Sequence, residues 1–176
     1  MKISVIIPCF NEYKTISKII DKVLKNNFIE IELIVVDDFS TDNTRKILNN
    51  IHKDKIQHLI LNEKNYGKGY SIRQGIKKST GNIILVQDAD LEYDPDDYQK
   101  LLDPILKNEA DVVFGSRFIG SDNKRVLYFW HSIGNFILTL LSNIFTNLNL
   151  TDMECGYKVF KSEVIKNIQL NENRFG

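Results

Sequence analysis

The stretch Leu85–Asp97, "LVQDADLEYDPDD", decides how this chain is read. An apolar run stops at Gln87, and six carboxylates follow within ten positions: Asp88, Asp90, Glu92, Asp94, Asp96 and Asp97. With its upstream neighbours the run is "NIILVQD" (Asn82–Asp88), which has the length and β-branched content of a buried strand. Pro95 suits the first helical position after Asp94, so a helix is predicted from there to about Asn108. Asp94, Asp96 and Asp97 then sit at a helix N-terminus, where negative charge meets the positive end of the dipole. Asp88 and Asp90 have a different setting. They are one residue apart at a strand end, where alternate side chains share a face.

The same alternation runs outward in both directions. "ISVIIPC" (Ile3–Cys9), "IELIVVDD" (Ile31–Asp38), "IQHLILN" (Ile56–Asn62) and "DVVFGSR" (Asp111–Arg117) also read as strands. Between them, Ile16, Ile19, Ile20, Val23 and Leu24 give Tyr13–Leu24 a helical period. Ser40 or Thr41 caps a helix reaching about Ile51. The glycine loop in "NYGKGYSIRQGIKKSTG" opens another, which stops near Gly81. Repeated strand and helix predict an α/β fold, a mostly parallel sheet with helices on both faces. Ligands of such sheets bind beyond the carboxyl ends of the strands. Asp37, Asp38, Asp88, Asp90 and Arg117 are therefore expected along one rim.

Composition bounds the rest. The chain has 176 residues, 43% hydrophobic and 26% charged, which fits one soluble domain over residues 1–176. Lys and Arg number 23, as do Asp and Glu, so bulk charge predicts no nucleic-acid partner. Cys9 and Cys155 have neither zinc nor redox spacing, which predicts free thiols in a reducing cytoplasm. Met1-Lys2 leads straight into a strand, with no signal peptide visible. The apolar segment Val126–Leu148 is interrupted by His131, Ser132, Asn135, Ser142 and Asn143, which argues against a membrane span. An ordinary core helix is the preferred reading of it, and a helix lying at a bilayer surface is the alternative. His131 reads as a structural histidine. The end, "NENRFG", resembles neither a helix end nor a polar tail, so truncation at the C-terminus is expected.

Several residues carry chemistry. Two bare carboxylates at Asp88 and Asp90 repel unless a cation joins them. A hard divalent ion such as Mg²⁺ or Mn²⁺ would do so, keeping waters and taking further oxygens from substrate phosphates, with Glu92 as another ligand. The alternative is a solvated acidic turn. Asp38, after the second strand, can accept hydrogen bonds from a nucleobase or ribose, as acidic residues do in nucleotide folds, or serve as a turn residue. Ser40, Thr41 and Asp42 read as helix caps. Gly67-Lys68-Gly69 is no Walker A loop, yet a glycine loop opening a helix suits an anion or a base held close to backbone. Arg73 reads as solvated. Arg117 and Lys158 are cations that become anchors beside phosphates.

"VIIPCFNE", "VVDDFSTDNT", "NYGKGYSIRQG", "QDADLEYDP", "FGSRF" and "DMECGYKVFK" occur in this order. Together they resemble the family-2 glycosyltransferases of the GT-A fold, and within them the polyprenyl-phosphate branch that includes the dolichyl-phosphate mannose synthases. The resemblance covers nearly the whole chain. It implies that Pro8, Phe10, Asn11, Glu12 and Ala89 line a nucleotide-sugar site, that Asp38 contacts the base, and that Lys68 and Asp88 contact the nucleoside. It implies that Asp90, with Glu92, holds Mg²⁺ or Mn²⁺ on the diphosphate, and that Arg117 and Arg125 grip an acceptor phosphate. Lys158 stands where the family frequently has Arg, near the leaving diphosphate. Asp90, Arg117 and Lys158 form the implied catalytic set.

The implied reaction is inverting transfer of a hexose from a GDP-mannose or UDP-glucose type of donor to dolichyl or undecaprenyl phosphate. It would occur at the cytoplasmic face of a membrane, in cell-envelope biogenesis. The alternative acceptor is a glycan hydroxyl, with Asp152 or Glu154 as base. The matches around Pro8 and Asn11-Glu12 argue against a phosphoryl-receiver domain.

Overall fold

Seven of the eight residues of β1 (Lys2–Cys9), all but Lys2, are buried, as befits a strand inside the sheet with both faces covered. Their side chains alternate between two cores. Ile3, Val5, Ile7 and Cys9 point to one, and Ile6 points to the other. That pattern fits a strand covered by helices on both sides. The computed structural model describes residues 1–26, 29–51, 55–116 and 129–174.

The parallel series follows the order of the chain: α1 (Ile16–Leu24), β2 (Glu30–Asp37), α2 (Thr44–Ile51), β3 (His58–Leu61), α3 (Lys68–Lys78) and β4 (Ile83–Val86). A 3₁₀ turn (Pro95–Asp97), α4 (Tyr98–Leu106), β5 (Val112–Phe114), α5 (Phe129–Thr146), β6 (Lys158–Lys161) and α6 (Ser162–Asn167) complete the described elements. The sheet order is β3-β2-β1-β4-β6-β5. β1 pairs in parallel with both β2 and β4, in register Cys9 with Asp37 and Ile6 with Val86. The chain therefore winds outward from β1 in one direction and then returns to its other side. The loops after β1 and β4 part at that switch point, and the gap between them is where such sheets hold ligands.

α1 and α4 cover one face: Ile16, Ile19, Ile20 and Val23 meet Leu33, Val35 and Leu85, and Tyr98, Leu102 and Ile105 extend the same core. On the other face Ile76 of α3 and Ile165 of α6 pack on Ile6, Ile34 and Ile84. The predicted α/β class, with a mostly parallel sheet and helices on both faces, is what the structure has. The element ends are shorter than the sequence suggests. Asp94 caps the turn at Pro95 by accepting from the Asp96 N–H, and Asn108, at φ 57°, follows the end of α4 in the left-handed region.

The structure adds one strand to those read from the sequence and corrects one expectation. The "KVF" of the last motif is a strand, β6, which lies between β4 and β5 and runs antiparallel to both. It is legible only through its partners: of its four residues, only Val159 is fully buried. The correction concerns α5, which is not a core helix. Its buried positions are the polar ones, Asn135 and Thr139, each 6% exposed. Its apolar residues face outward, with Trp130 76%, Phe136 67% and Phe145 84% exposed. The polar face is tied down by side-chain bonds. Asn135 donates to Asp152 at 3.2 Å, Thr139 Oγ1 accepts the Met153 N–H, and Asn143 pairs reciprocally with the Leu150 backbone.

Candidate active site

Each of the strands β1 to β4 is followed by a residue of positive φ: Asn11 (φ 58°) after β1, Phe39 (φ 66°) after β2, Gly67 (φ 102°) after β3 and Leu91 (φ 64°) after β4. For a bulky side chain such as Phe39 this conformation is costly, and strain of this kind collects where loops must be held in one functional shape. Side chains do the holding here. The Asn11 carboxamide oxygen accepts from the Thr41 and Asp42 N–H groups, and the Asn11 N–H donates to Ser40 Oγ at 2.9 Å. The Glu12 N–H donates to Thr44 Oγ1 at 2.8 Å. Ser40 and Thr41 thus brace the neighbouring loop instead of capping α2; that role falls to Asp42, which accepts the Thr44 N–H at 2.8 Å. Burial pushes the Asp42 carboxyl up, but hydrogen bonds from Thr44 and Tyr13 outweigh it and hold it below the usual range.

Asp37 and Asp38 divide their work. Asp37 is fully buried and takes Arg45 Nε at 2.5 Å and the Ser40 N–H at 3.1 Å. Asp38 pins the glycine loop: it accepts from Asn62 Nδ2 at 2.8 Å, the Tyr66 N–H at 3.0 Å and the Gly67 N–H at 2.7 Å. The thiol of Cys9 lies beneath them. Burial, and then the charge of Asp37, push it well above the ordinary thiol range, so it stays protonated.

The gap between the β1 and β4 exits is an open cleft of about 440 Å³, within the range of small-molecule sites. Pro8, Phe10, Glu12, Asp38, Lys68, Asp88, Ala89 and Asp90 all line it. Asp88 meets the Lys68 ammonium at 2.5 Å. Asp90 accepts the Glu92 N–H at 3.0 Å, which closes a tight turn after β4. Asn11 and Glu92 lie outside the lining, as does Lys158, whose ammonium sits over the Phe114 ring at 5.9 Å. Arg117 and Arg125 lie outside the described residues.

Asp88 is positioned from below. Gln87 is fully buried, and its side-chain oxygen accepts from Tyr98 at 2.8 Å and Tyr157 at 2.9 Å. Burial raises the pKa of both phenols, which keeps them as donors. Its amide donates to the Asp88 and Tyr93 carbonyls, and Tyr93 Oη accepts the Gly156 N–H at 2.7 Å. A Cβ at Gly156 would lie 2.6 Å from Asp88 Oδ2 and 2.5 Å from the Tyr93 ring. The "CGY" motif therefore packs directly against the acidic turn.

Gly67 of the glycine loop lines the cleft, whereas sequence reasoning missed Cys9, Asn65, Ser71 and Arg174 as lining residues. Ser71 could have been found, one helical turn beyond Lys68. Arg174 could not, because the fold alone brings it there. The glycine loop also differs from expectation. The Gly69 and Tyr70 N–H groups, which open α3, donate to the Arg174 and Asn173 carbonyls. Arg73 is not merely solvated: its guanidinium holds the Glu172 carbonyl and the Asn173 carboxamide.

Among the described residues no three His, Cys, Asp or Glu side chains form a ready metal cage. Hard oxygen donors at Asp88 and Asp90 on one cleft fit an ion that keeps waters and completes its shell from a diphosphate.

A mostly parallel sheet with this switch-point cleft and its carboxylate pair defines a nucleotide-diphospho-sugar transferase fold of the GT-A type. Residues 4–169 match the model of the family described as glycosyl transferase family 2, and the chain belongs to that family. A dolichyl-phosphate beta-glucosyltransferase of Trichomonas vaginalis is 31% identical, over 97% of this chain and 56% of that one. A dolichol-phosphate mannosyltransferase of Pyrococcus furiosus is 28% identical, over 97% of this chain and 49% of that one. Among solved structures, S. aureus TarS 1–349 in complex with UDP-GlcNAc superposes with a TM-score of 0.65 at 26% identity, covering 95% of this chain and 47% of that one. The chain thus spans about half the length of these relatives.

Proposed function

We propose that the chain transfers a hexose from a nucleotide-diphosphate sugar to a polyprenyl phosphate, with inversion at the anomeric carbon, on the cytoplasmic face of a membrane. The cleft supports the donor half of this reading. Phe10 offers an exposed ring to a base, Asp38 an acceptor to its N–H groups, and Lys68 and Asp88 a paired contact to the nucleoside. Asp90, with Glu92 beside it in the turn, would hold Mg²⁺ or Mn²⁺. When bound, the ion supplies a Lewis acid that stabilises charge on the departing diphosphate. UDP-GlcNAc in TarS and the dolichyl-phosphate names of the relatives support the same pairing of substrates.

A phosphate acceptor is largely ionised at neutral pH, so its oxygen needs no strong base to attack the anomeric carbon from the face opposite the diphosphate. Approach and alignment of the two substrates supply much of the rate. Arg117 and Arg125 are proposed for the acceptor phosphate, and Lys158 for the leaving group, from the sequence motifs. A hydroxyl acceptor would need a base. Asp152, one carboxylate available for that, is 2% exposed and engaged by Asn135.

The observation that carries the lipid acceptor is the inverted helix α5. It contains no Asp, Glu, Lys or Arg, hides its polar stripe against the protein and presents Trp130, Phe136, Ile144 and Phe145 outward. No described helix is long and apolar enough to cross a membrane, so α5 would lie in the interface plane. The test offers labelled UDP-glucose and GDP-mannose to the chain with polyprenyl phosphate in vesicles or with soluble glycans. Label in the lipid fraction is expected. Label only in glycan would overturn the acceptor.

A further inference from the structure

Resting on the nucleotide-diphosphate reading of the cleft, we propose that Arg174 is a second cation of that site and binds the donor's diphosphate. Its backbone is fixed at the cleft by α3. The Gly69 N–H donates to the Arg174 carbonyl at 3.2 Å and the Tyr70 N–H to the Asn173 carbonyl at 2.9 Å, while Arg73 clamps Glu172 and Asn173 from the next turn. The glycines make this possible. A Cβ on Gly67 would come within 2.5 Å of the Asn173 carbonyl oxygen, and one on Gly69 equally close to that of Glu172. The loop that looks made for an anion is instead made for a strap of the same chain.

The strap places an arginine where the site needs charge. Four carboxylates line the cleft, Glu12, Asp38, Asp88 and Asp90, against two cations, Lys68 and Arg174. Lys68 is already bound to Asp88. Lys158 lies outside the lining, over Phe114. Among the described residues, the Arg174 guanidinium is left without a carboxylate partner. A guanidinium delivers two parallel N–H groups to a phosphate and cannot be deprotonated, which matches the demand of a diphosphate.

The experiment is calorimetry with UDP and GDP in the presence of Mn²⁺, and with uridine and guanosine as phosphate-free controls, on wild type, Arg174→Ala, Arg174→Lys and Gly69→Ala. Arg174→Ala should weaken diphosphate binding about 10- to 100-fold, the worth of charge-assisted hydrogen bonds, and leave nucleoside binding within about twofold. Arg174→Lys should recover part of the loss. Gly69→Ala, which displaces the strap without touching the guanidinium, should show the same selective loss as Arg174→Ala. Undiminished diphosphate affinity in Arg174→Ala would overturn the inference and leave the nucleotide site standing. So would equal losses for nucleoside and diphosphate, which would mean that the strap only shapes the cleft. Failure of the wild type to bind either diphosphate would overturn the reading of the cleft, and the inference with it.

Discussion

The Lys68 ammonium and the Asp88 carboxylate meet at 2.5 Å, joining the start of α3 to the loop that leaves β4. Both groups line the cleft, so the pair ties two of its walls together. It also answers part of the electrostatic problem posed by "DAD". Asp88 has a fixed cation, whereas Asp90 is held by the Glu92 N–H of its own turn. Replacing Lys68 by Met should leave the fold intact, because the side chain is partly exposed. Affinity for a nucleoside diphosphate should fall about tenfold, in line with the loss of one charge-assisted contact. Calorimetry reads this directly, and unchanged affinity would count against Lys68 as a site residue.

Gly156 tests how tightly the acidic turn is positioned. Alanine there would press on both Asp88 Oδ2 and the Tyr93 ring. Sugar transfer should fall at least about tenfold, the effect expected of a small displacement at a reacting centre. Gly134 is the control: a Cβ there meets nothing within 4 Å, and Gly134→Ala should stabilise α5 by about 0.8 kcal/mol or less with activity intact. Equal transfer by Gly156→Ala and wild type would remove the positioning role.

The opposite end of the sheet supplies a pH dependence. Glu32 is 2% exposed, and its carboxylate takes Ser4, the Thr80 N–H and hydroxyl, and Lys2 at 3.1 Å. Burial pushes its pKa up, but these hydrogen bonds outweigh the burial and bring it down to about 2. A pKa lowered on folding gives stability that is full above the unfolded value and is lost as pH falls towards the folded one. Here the window runs from about pH 5 to about pH 2, and the contribution at neutral pH is on the order of 3 kcal/mol. Denaturant titrations across that window should show wild type losing stability more steeply than Glu32→Gln. Parallel curves would contradict the buried network.

The α5 surface makes a prediction about membranes. Phe136→Ser and Phe145→Ser together should leave the melting temperature within a few degrees, since both rings are exposed. Cosedimentation with phospholipid vesicles should drop about tenfold or more, because each buried aromatic contributes roughly 1.5–3 kcal/mol. Equal cosedimentation of variant and wild type would show that this face does not meet the bilayer.

Much of this architecture is written in local pattern. β1, β2 and β4 are legible because their side chains are buried on both faces, so the runs are continuous and β-branched. The rim follows from their ends, which is why Asp38, Asp88 and Asp90 could be brought to one edge from the sequence, while Pro8 and Lys68 came with the family resemblance. Other features depend on partners distant in the chain. β6 is four residues bounded by lysines, and β4 and β5 supply its pairing. Helix α5 announces an apolar composition, but which side it turns inward depends on Asp152, Met153 and Leu150. Arg174 is one charged residue in a polar stretch, and only the missing Cβ atoms of Gly67 and Gly69 let it reach the cleft. The left-handed Phe39 has no local signal at all.

The central claim is that the gap between the β1 and β4 exits binds a nucleoside diphosphate through its carboxylates and a divalent ion. Titrating UDP and GDP into wild type and Asp90→Asn, each with Mn²⁺ and with chelator, tests it most directly. Saturable binding that needs Mn²⁺ and falls about tenfold or more in Asp90→Asn is the predicted result. Binding of equal strength in both proteins with chelator present, or no binding at all, would contradict it.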